Sequence, residues 1–202
     1  MTKSLVSLFS GVLLFFAVFG QKFNGDVFTA KNFSIKHWTT SNGLPQNTIN
    51  GIVQDSLGYM WMATNEGLVR FDGNNFDYFH SGNTEDVKGM RFQSLTKAAD
   101  GTLYATSLEG YLISISDNEF KSYPFPNGQP IHEAFTGRNG RINICIGKII
   151  YEFHSGEFHA LIKDIPGIVN NTFLYNPAND SYYFGNQSGL FVCDNAHFEL
   201  IQ

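Results

Sequence analysis

The sequence has 202 residues, of which 43% are hydrophobic and 15% aromatic, with 20 phenylalanines and a formal net charge of −5. This amount of apolar and aromatic side chain is enough for a folded core, so the composition excludes a disordered polypeptide. It also argues against a nucleic-acid-binding protein, because no basic stripe or run of Lys and Arg offers a surface for phosphates.

The first 20 residues differ from the rest of the chain. Lys3 gives a basic start, and Leu5–Phe19 is a nearly unbroken apolar run before Gly20. The run is shorter than the about 20 residues of a membrane-spanning helix and suits the apolar region of a secretory signal. We therefore predict a cleaved signal peptide at residues 1–20, with an uncleaved anchor as the alternative, and an exported, periplasmic chain starting near Gln21.

A four-fold repeat with a period near 40 residues follows. In each copy a turn residue precedes a phenylalanine by 18 or 19 positions: Gly58 and Phe76, Gly101 and Phe120, Gly140 and Phe158, Asp180 and Phe198. This period, built from short strands, is typical of β-propeller blades of four strands each. We predict an all-β protein with a linker and lead-in strand at 21–47 and β-propeller repeats at 48–202, namely 48–83, 90–123, 131–161 and 170–201.

The first copy shows its strands most clearly. Thr48–Gln54 is apolar-rich and ends at a turn, and Tyr59–Thr64 is an aromatic, β-prone run. Leu68–Phe71 alternates apolar with polar residues, and an Asp-Gly turn separates it from Phe76–Phe79. Four short strands joined by tight turns are therefore predicted.

The later copies follow the same order. The second and fourth copies contain these predicted strands: Thr102–Thr106, Tyr111–Ile115, Phe120–Tyr123, Ser181–Gly185, Leu190–Cys193 and Phe198–Ile201. In the third copy, Gly147 provides the turn between the second and third strands. Three places after the turn residue lies an aromatic side chain in three copies (Trp61, Tyr104 and Tyr183), whereas the third copy has Asn143. We predict that these aromatic rings pack between blades, with stacking on a sugar as the alternative.

The sequence predicts no catalytic, cofactor-binding or metal-binding residue. There is no phosphate-binding glycine loop and no Gly-x-Ser-x-Gly motif. Turn positions hold the aspartates Asp55, Asp72, Asp100, Asp117 and Asp180. Capping of local backbone groups explains these side chains, although the paired carboxylates of a propeller glycosidase stay open as an alternative.

The histidines and cysteines point to no metal either. His154 and His159 flank a predicted hairpin turn, but no further ligands are placed around them. Cys145 and Cys193 occupy different positions of the repeat, so two unpaired thiols are the simpler interpretation. Export would nevertheless permit a disulfide.

Residues Phe33–Phe79 resemble the start of a two-component regulator propeller. The resemblance rests on three motifs: the W-x-x-x-x-GLPQN lead-in from Trp38 to Asn47, the I-x-x-D-x-x-G-x-x-W opening from Ile52 to Trp61, and the GLxRFDG hairpin from Gly67 to Gly73. The later copies are more degenerate. Proteins of this family usually carry the propeller as a periplasmic or extracellular sensor, followed by a membrane helix and a cytoplasmic output such as a histidine kinase.

The resemblance implies a non-enzymatic sensor segment of a signal-transduction protein anchored in the inner membrane. Such sensors often respond to polysaccharide fragments, so an oligosaccharide or other small ligand is the expected partner. The loops Asn42–Asn47 and Asn65–Glu66 are candidate contacts, although no binding residue is identified. An exported enzyme acting on glycans and a scaffold for protein contacts are the alternatives.

Four repeats fall short of the about seven blades that the family usually builds into a ring. The lead-in Ser34–Trp38 would be the outer strand that completes the last blade. We interpret the chain as the N-terminal part of a longer sensor with an incomplete ring, whose partners are the missing C-terminal blades and output domains. A closed four-bladed ring and a homodimer are alternatives.

Overall fold

The computed structural model describes residues 34–167, 173–194 and 197–201. The predicted signal peptide at residues 1–20 lies outside the described residues. Within these ranges the chain forms sixteen β-strands, with three short 3-10 turns. None of the helical segments in the described ranges has the length and apolar character needed to span a bilayer.

The strands form four antiparallel sheets, each with its strands in chain order. Blade 1 contains β1 (Ile49–Gln54), β2 (Met60–Thr64), β3 (Gly67–Phe71) and β4 (Phe76–Phe79). Blade 2 contains β5 (Phe92–Lys97), β6 (Leu103–Ser107), β7 (Tyr111–Ser116) and β8 (Glu119–Pro124). Blade 3 contains β9 (Ala134–Thr136), β10 (Ile142–Ile146), β11 (Ile149–His154) and β12 (Glu157–Ile162). Blade 4 contains β13 (Phe173–Asn176), β14 (Ser181–Asn186), β15 (Gly189–Asp194) and β16 (His197–Ile201). The predicted all-β architecture of β-propeller blades is confirmed.

The first strand of each blade is its inner strand. These strands pack in series, β1 against β5, β5 against β9 and β9 against β13. Gly51 allows β1 to approach β5 closely, because a Cβ at this position would lie 2.9 Å from the backbone nitrogen of Leu95. Among the described strands, no comparable packing joins β13 back to β1. The blades therefore form an open series, which agrees with the predicted incomplete ring.

Apolar cores fill the spaces between successive blades. Each blade has a forward face, turned to the following blade, and a rear face, turned to the preceding one. The forward face of blade 1 presents Trp61, Ala63 and Leu68, which pack on the rear face of blade 2 around Leu103 and Ile113. Because side chains alternate along a strand, neighbouring residues such as Met62 lie on the opposite face.

The lead-in segment differs from its prediction. Ser34–Trp38 is not a strand in the described part of the chain. The apolar side chains of the lead-in instead pack on the rear face of blade 1, formed by Met62, Val69 and Phe71. Leu44 is only 7% exposed there, and the Trp38 ring meets the Phe71 ring edge-on with centroids 4.9 Å apart. The lead-in thus packs on a sheet face of blade 1, and its pairing with the last blade of a complete ring stays a prediction.

Candidate functional site

The inner strands of blades 2, 3 and 4 enclose a groove of about 710 Å³. Its walls come from Thr96 on β5, Ala134–Thr136 on β9 and Phe173–Tyr175 on β13, with Gly137, Asn139, Gly140 and Pro177 in the adjoining turns. The volume lies within the about 300–1,000 Å³ typical of small-molecule sites. The groove is therefore a candidate ligand site.

The groove combines apolar and neutral polar groups. Its lining contains no Asp, Glu, Lys, Arg or His. The hydroxyls of Thr96 and Thr136 are 3.3 Å apart, and Thr136 donates to the Lys97 carbonyl at 2.8 Å. Phe135 and Phe173 stack with centroids 5.2 Å apart and support the wall between blades 3 and 4. Such a surface suits an uncharged ligand that carries hydrogen-bonding groups.

A charged cluster stands at the rim of this groove. Arg138 forms a bidentate ion pair with Asp180, with N···O distances of 2.8 and 2.7 Å, and thereby joins the turns of blades 3 and 4. The Tyr175 hydroxyl donates to Asp180 at 2.6 Å. The hydrogen bond from Tyr175, followed by Arg138, lowers the pKa of Asp180, and the same hydrogen bond raises the pKa of Tyr175. The cluster fixes the orientation of the one titratable ring that lines the groove.

Three of the five turn aspartates accept hydrogen bonds from local backbone groups, as predicted. Asp55 accepts hydrogen bonds from the backbone of Leu57 and Tyr59 at 2.9 Å, and its second oxygen accepts from Trp61 Nε1 at 2.9 Å. Asp72 and Asp100 likewise accept from nearby backbone N–H groups. Asp180 is different, since its oxygens accept from Arg138 and Tyr175. Capping of the backbone therefore explains Asp55, Asp72 and Asp100, and pairing between blades explains Asp180.

The predicted candidate loops do not line the groove. In the lead-in loop, Asn42 donates to the His37 carbonyl and Asn47 accepts from the Thr40 backbone, each at 2.9 Å. Asn65 accepts from the side-chain amides of Asn50 at 2.9 Å and Gln93 at 3.3 Å, which links blades 1 and 2. These side chains hold the local backbone and the first two blades together.

Two of the three repeat-position aromatics pack between blades. Trp61 is 2% exposed and lies 5.6 Å from the Phe79 ring and 6.0 Å from the Phe120 ring. The Tyr104 ring meets Phe153 of blade 3 at 5.9 Å. Tyr183 occupies the forward face of blade 4, on which no further described blade packs. The packing prediction is therefore correct for Trp61 and Tyr104, and for Tyr183 it stays a prediction.

A half-buried carboxyl group lies beside the inner strand of blade 3. Burial raises the pKa of Glu133 to about 7, against the opposing effect of a hydrogen bond from the Phe173 backbone. Burial, followed by the charge of Glu133, raises the pKa of the free Cys145 thiol to about 12. The thiol is therefore protonated at neutral pH, which makes it a poor nucleophile and metal ligand.

The histidine pair forms a local stack on the β11–β12 hairpin. The rings of His154 and His159 are parallel within 11°, with centroids 4.0 Å apart. Glu152 approaches His154 at 3.7 Å but also pairs with Arg141 at 2.7 Å. In the described ranges, no group of three or more His, Cys, Asp or Glu side chains is placed to hold a metal ion.

Comparisons with known proteins identify the repeat. Residues 43–66 match the family model of the two component regulator propeller. A stretch of 81 residues is 33% identical to histidine kinase P4 of Formosa agariphila, covering 40% of this chain and 6% of the kinase. The chain thus spans a small part of that relative's length. These matches confirm the resemblance that was predicted from the lead-in and the first blade.

Solved structures confirm the fold. Two extracellular domains of hybrid two component systems from B. thetaiotaomicron superpose with a TM-score of 0.61, at 19% and 14% identity. The alignments cover 79% and 78% of this chain and 22% of each of those chains. Virginiamycin B lyase from Staphylococcus aureus superposes with a TM-score of 0.62 at 15% identity, over 77% of this chain and 56% of the lyase. At these identities the likeness shows a shared β-propeller architecture.

Proposed function

We propose that this chain is the extracytoplasmic sensor segment of a two-component regulatory protein and that its inner groove binds a small neutral ligand. The match at residues 43–66 and the hybrid two component neighbours support a sensor-type propeller. The exported location and the inner-membrane anchoring of the parent protein are parts of the same proposal. They rest on the apolar N-terminal run and on the extracellular origin of those neighbours.

The observation that carries the ligand proposal is the chemistry of the groove. Thr96, Thr136 and Asn139 offer neutral hydrogen-bonding groups, while Leu174 and Pro177 offer apolar surface. An oligosaccharide has the complementary combination of hydroxyl groups and apolar ring faces. Its affinity would come from several such contacts rather than from an ion pair, because the lining has no charged side chain.

Binding fits this groove better than catalysis does. A glycosidase uses two carboxyl groups that flank the scissile bond. The groove lining contains no carboxyl group, and Asp180 at its rim is engaged by Arg138 and Tyr175. An exported propeller enzyme is the second candidate, since a lyase shares the architecture.

The test combines a glycan array with a panel of hydrolase and lyase substrates on the purified chain. For any glycan that binds, Thr96→Val should weaken affinity about fivefold, because a hydrogen bond contributes roughly 1 kcal/mol. Thr48→Val is the matched control, since Thr48 is exposed and does not line the groove. Equal affinity of Thr96→Val and Thr48→Val for the glycan would mean that the ligand binds outside the groove. Turnover of a substrate that a single carboxylate substitution abolishes would instead support the exported enzyme.

A further inference from the structure

Tyr175 departs from the repeat at a position that lines the groove. Its equivalents on the inner strands of blades 1, 2 and 3 are Gln54, Lys97 and Thr136. Each of the four pairs with the residue that directly precedes the repeat position of Trp61. Three blades thus form with a non-aromatic side chain at this register position, so the propeller fold does not require an aromatic ring there.

Asp180, which accepts the hydrogen bond of the Tyr175 hydroxyl, departs from the repeat as well. The equivalent turn residues of blades 1 to 3 are Gly58, Gly101 and Gly140, whereas Asp180 has a φ of 54°. Glycine adopts this left-handed conformation most readily, and other residues held in it concentrate at functional sites. The two departures from the repeat therefore meet in one hydrogen bond of 2.6 Å at the rim of the groove.

The Tyr175 ring is held both at its side and at its hydroxyl group. It packs on the buried ring of Tyr182, with centroids 5.0 Å apart. The Tyr182 hydroxyl in turn accepts from Asn143 Nδ2 at 3.2 Å. The Tyr175 hydroxyl is fixed by Asp180, which the bidentate pair with Arg138 orients. A ring that is fixed before a ligand arrives loses little conformational entropy on binding.

We propose that Tyr175 is a stacking platform for the apolar face of a pyranose ring and that Asp180 is the positioning residue that orients it. This inference rests on the proposed function and narrows the neutral ligand to a sugar whose C–H groups lie on one ring face. A tyrosine ring offers the apolar surface for such a face. Thr96 and Thr136 belong to the same lining and offer hydroxyl groups to the polar edge of the sugar.

The test titrates tetrasaccharides of glucose, mannose and galactose into the full chain and follows the sugar protons by NMR. Protons that stack on Tyr175 should shift upfield, because they lie over an aromatic ring. Tyr175→Leu should abolish this shift and weaken affinity at least about fivefold, whereas Tyr175→Phe should keep the shift. Asp180→Gly restores the turn residue of the other blades, and it should reduce the shift because the ring loses its anchor. Tyr183→Leu, on the same blade but outside the groove lining, is the matched control and should change neither.

Circular dichroism verifies that each variant is folded. Affinity that falls in Thr96→Val but not in Tyr175→Leu would overturn the platform and leave the proposed function standing. An upfield shift that only Tyr183→Leu removes would assign the stacking to Tyr183 and would also overturn it. An unchanged shift in Asp180→Gly would overturn the positioning role of Asp180. If none of the three tetrasaccharides binds the unaltered chain, the assignment of a sugar to the groove fails together with the platform.

Discussion

Trp61 contributes both to the apolar core between blades 1 and 2 and to the turn that precedes its strand. Its ring packs between Phe79 and Phe120, and its Nε1–H donates to the aspartate that caps the turn before it. In blade 3 the same position is Asn143, which is fully buried and donates to the Tyr182 hydroxyl at 3.2 Å, while its Oδ1 has no hydrogen-bond partner. A polar side chain thus replaces the aromatic packing at one of the three interfaces.

We predict that Trp61→Ala lowers the free energy of unfolding by about 3–5 kcal/mol, because it leaves a large cavity in the first interblade core. Urea unfolding followed by circular dichroism measures the change. Leu57→Ala, at a 71% exposed side chain close in sequence, should leave stability nearly unchanged. An equal effect of both substitutions would contradict the packing role of Trp61.

Glu133 should make the free energy of unfolding depend on pH. Its pKa is raised to about 7 by burial, so the folded state holds this proton more tightly than the unfolded state does. The resulting stability is present at low pH and is lost as pH rises from about 4.5 towards about 7. After allowance for partial exposure, we expect a loss of about 1–2 kcal/mol.

Urea unfolding at about pH 5 and about pH 8 tests this dependence. Glu133→Gln keeps the shape and the neutral character of the side chain, so its stability should fall less between the two pH values. An unchanged pH dependence in Glu133→Gln would show that other groups are responsible.

At the scale of elements, tight turns and alternating patterns made most strands predictable. The strands β2, β3, β4, β7 and β8 lie within about two residues of their predicted bounds. The two-residue turn at Gly147, which has a φ of 61°, also occurs where it was predicted. Such turns are encoded locally, by residues that tolerate left-handed backbone conformations.

The lead-in and the groove were not predictable in the same way. The resemblance predicts a strand at Ser34–Trp38, whereas in the structure Trp38 and Leu44 cover a sheet face of blade 1. The groove joins Thr96, Thr136 and Leu174, which lie about 40 residues apart on different blades. No local sequence pattern identifies these groove residues, because only the packing of the inner strands brings them together.

The lead-in therefore acts as a cap, and its removal should destabilise blade 1. We predict that Leu44→Ala lowers the free energy of unfolding by about 2–3 kcal/mol, through lost burial and a cavity against Met62 and Val69. Hydrogen exchange should increase most in β2 and β3, because they carry the uncovered face. Ile35→Ala, at an 85% exposed side chain of the lead-in, is the control. Uniform exchange changes in all four blades would contradict a local capping role.

At the scale of the whole molecule, stability should depend on the position of a blade in the series. Blades 2 and 3 are covered on both faces by neighbouring blades, blade 1 is covered by blade 2 and the lead-in, and blade 4 is covered on its rear face. Each blade depends on its neighbours to bury its sheet faces, as repeats do in other stacked proteins. The same leucine should therefore contribute differently at different places in the series.

Leu112 and Leu190 allow this to be measured with identical chemistry at one register position. Leu112→Ala should cost about 2–5 kcal/mol, because the side chain is fully buried between blades 2 and 3. Leu190→Ala should cost less than about 1 kcal/mol, because 47% of the residue is already in contact with solvent. Urea unfolding of both variants gives the comparison directly. Equal costs would mean that the forward face of blade 4 is covered in solution, since only burial equalises two leucines in the same register.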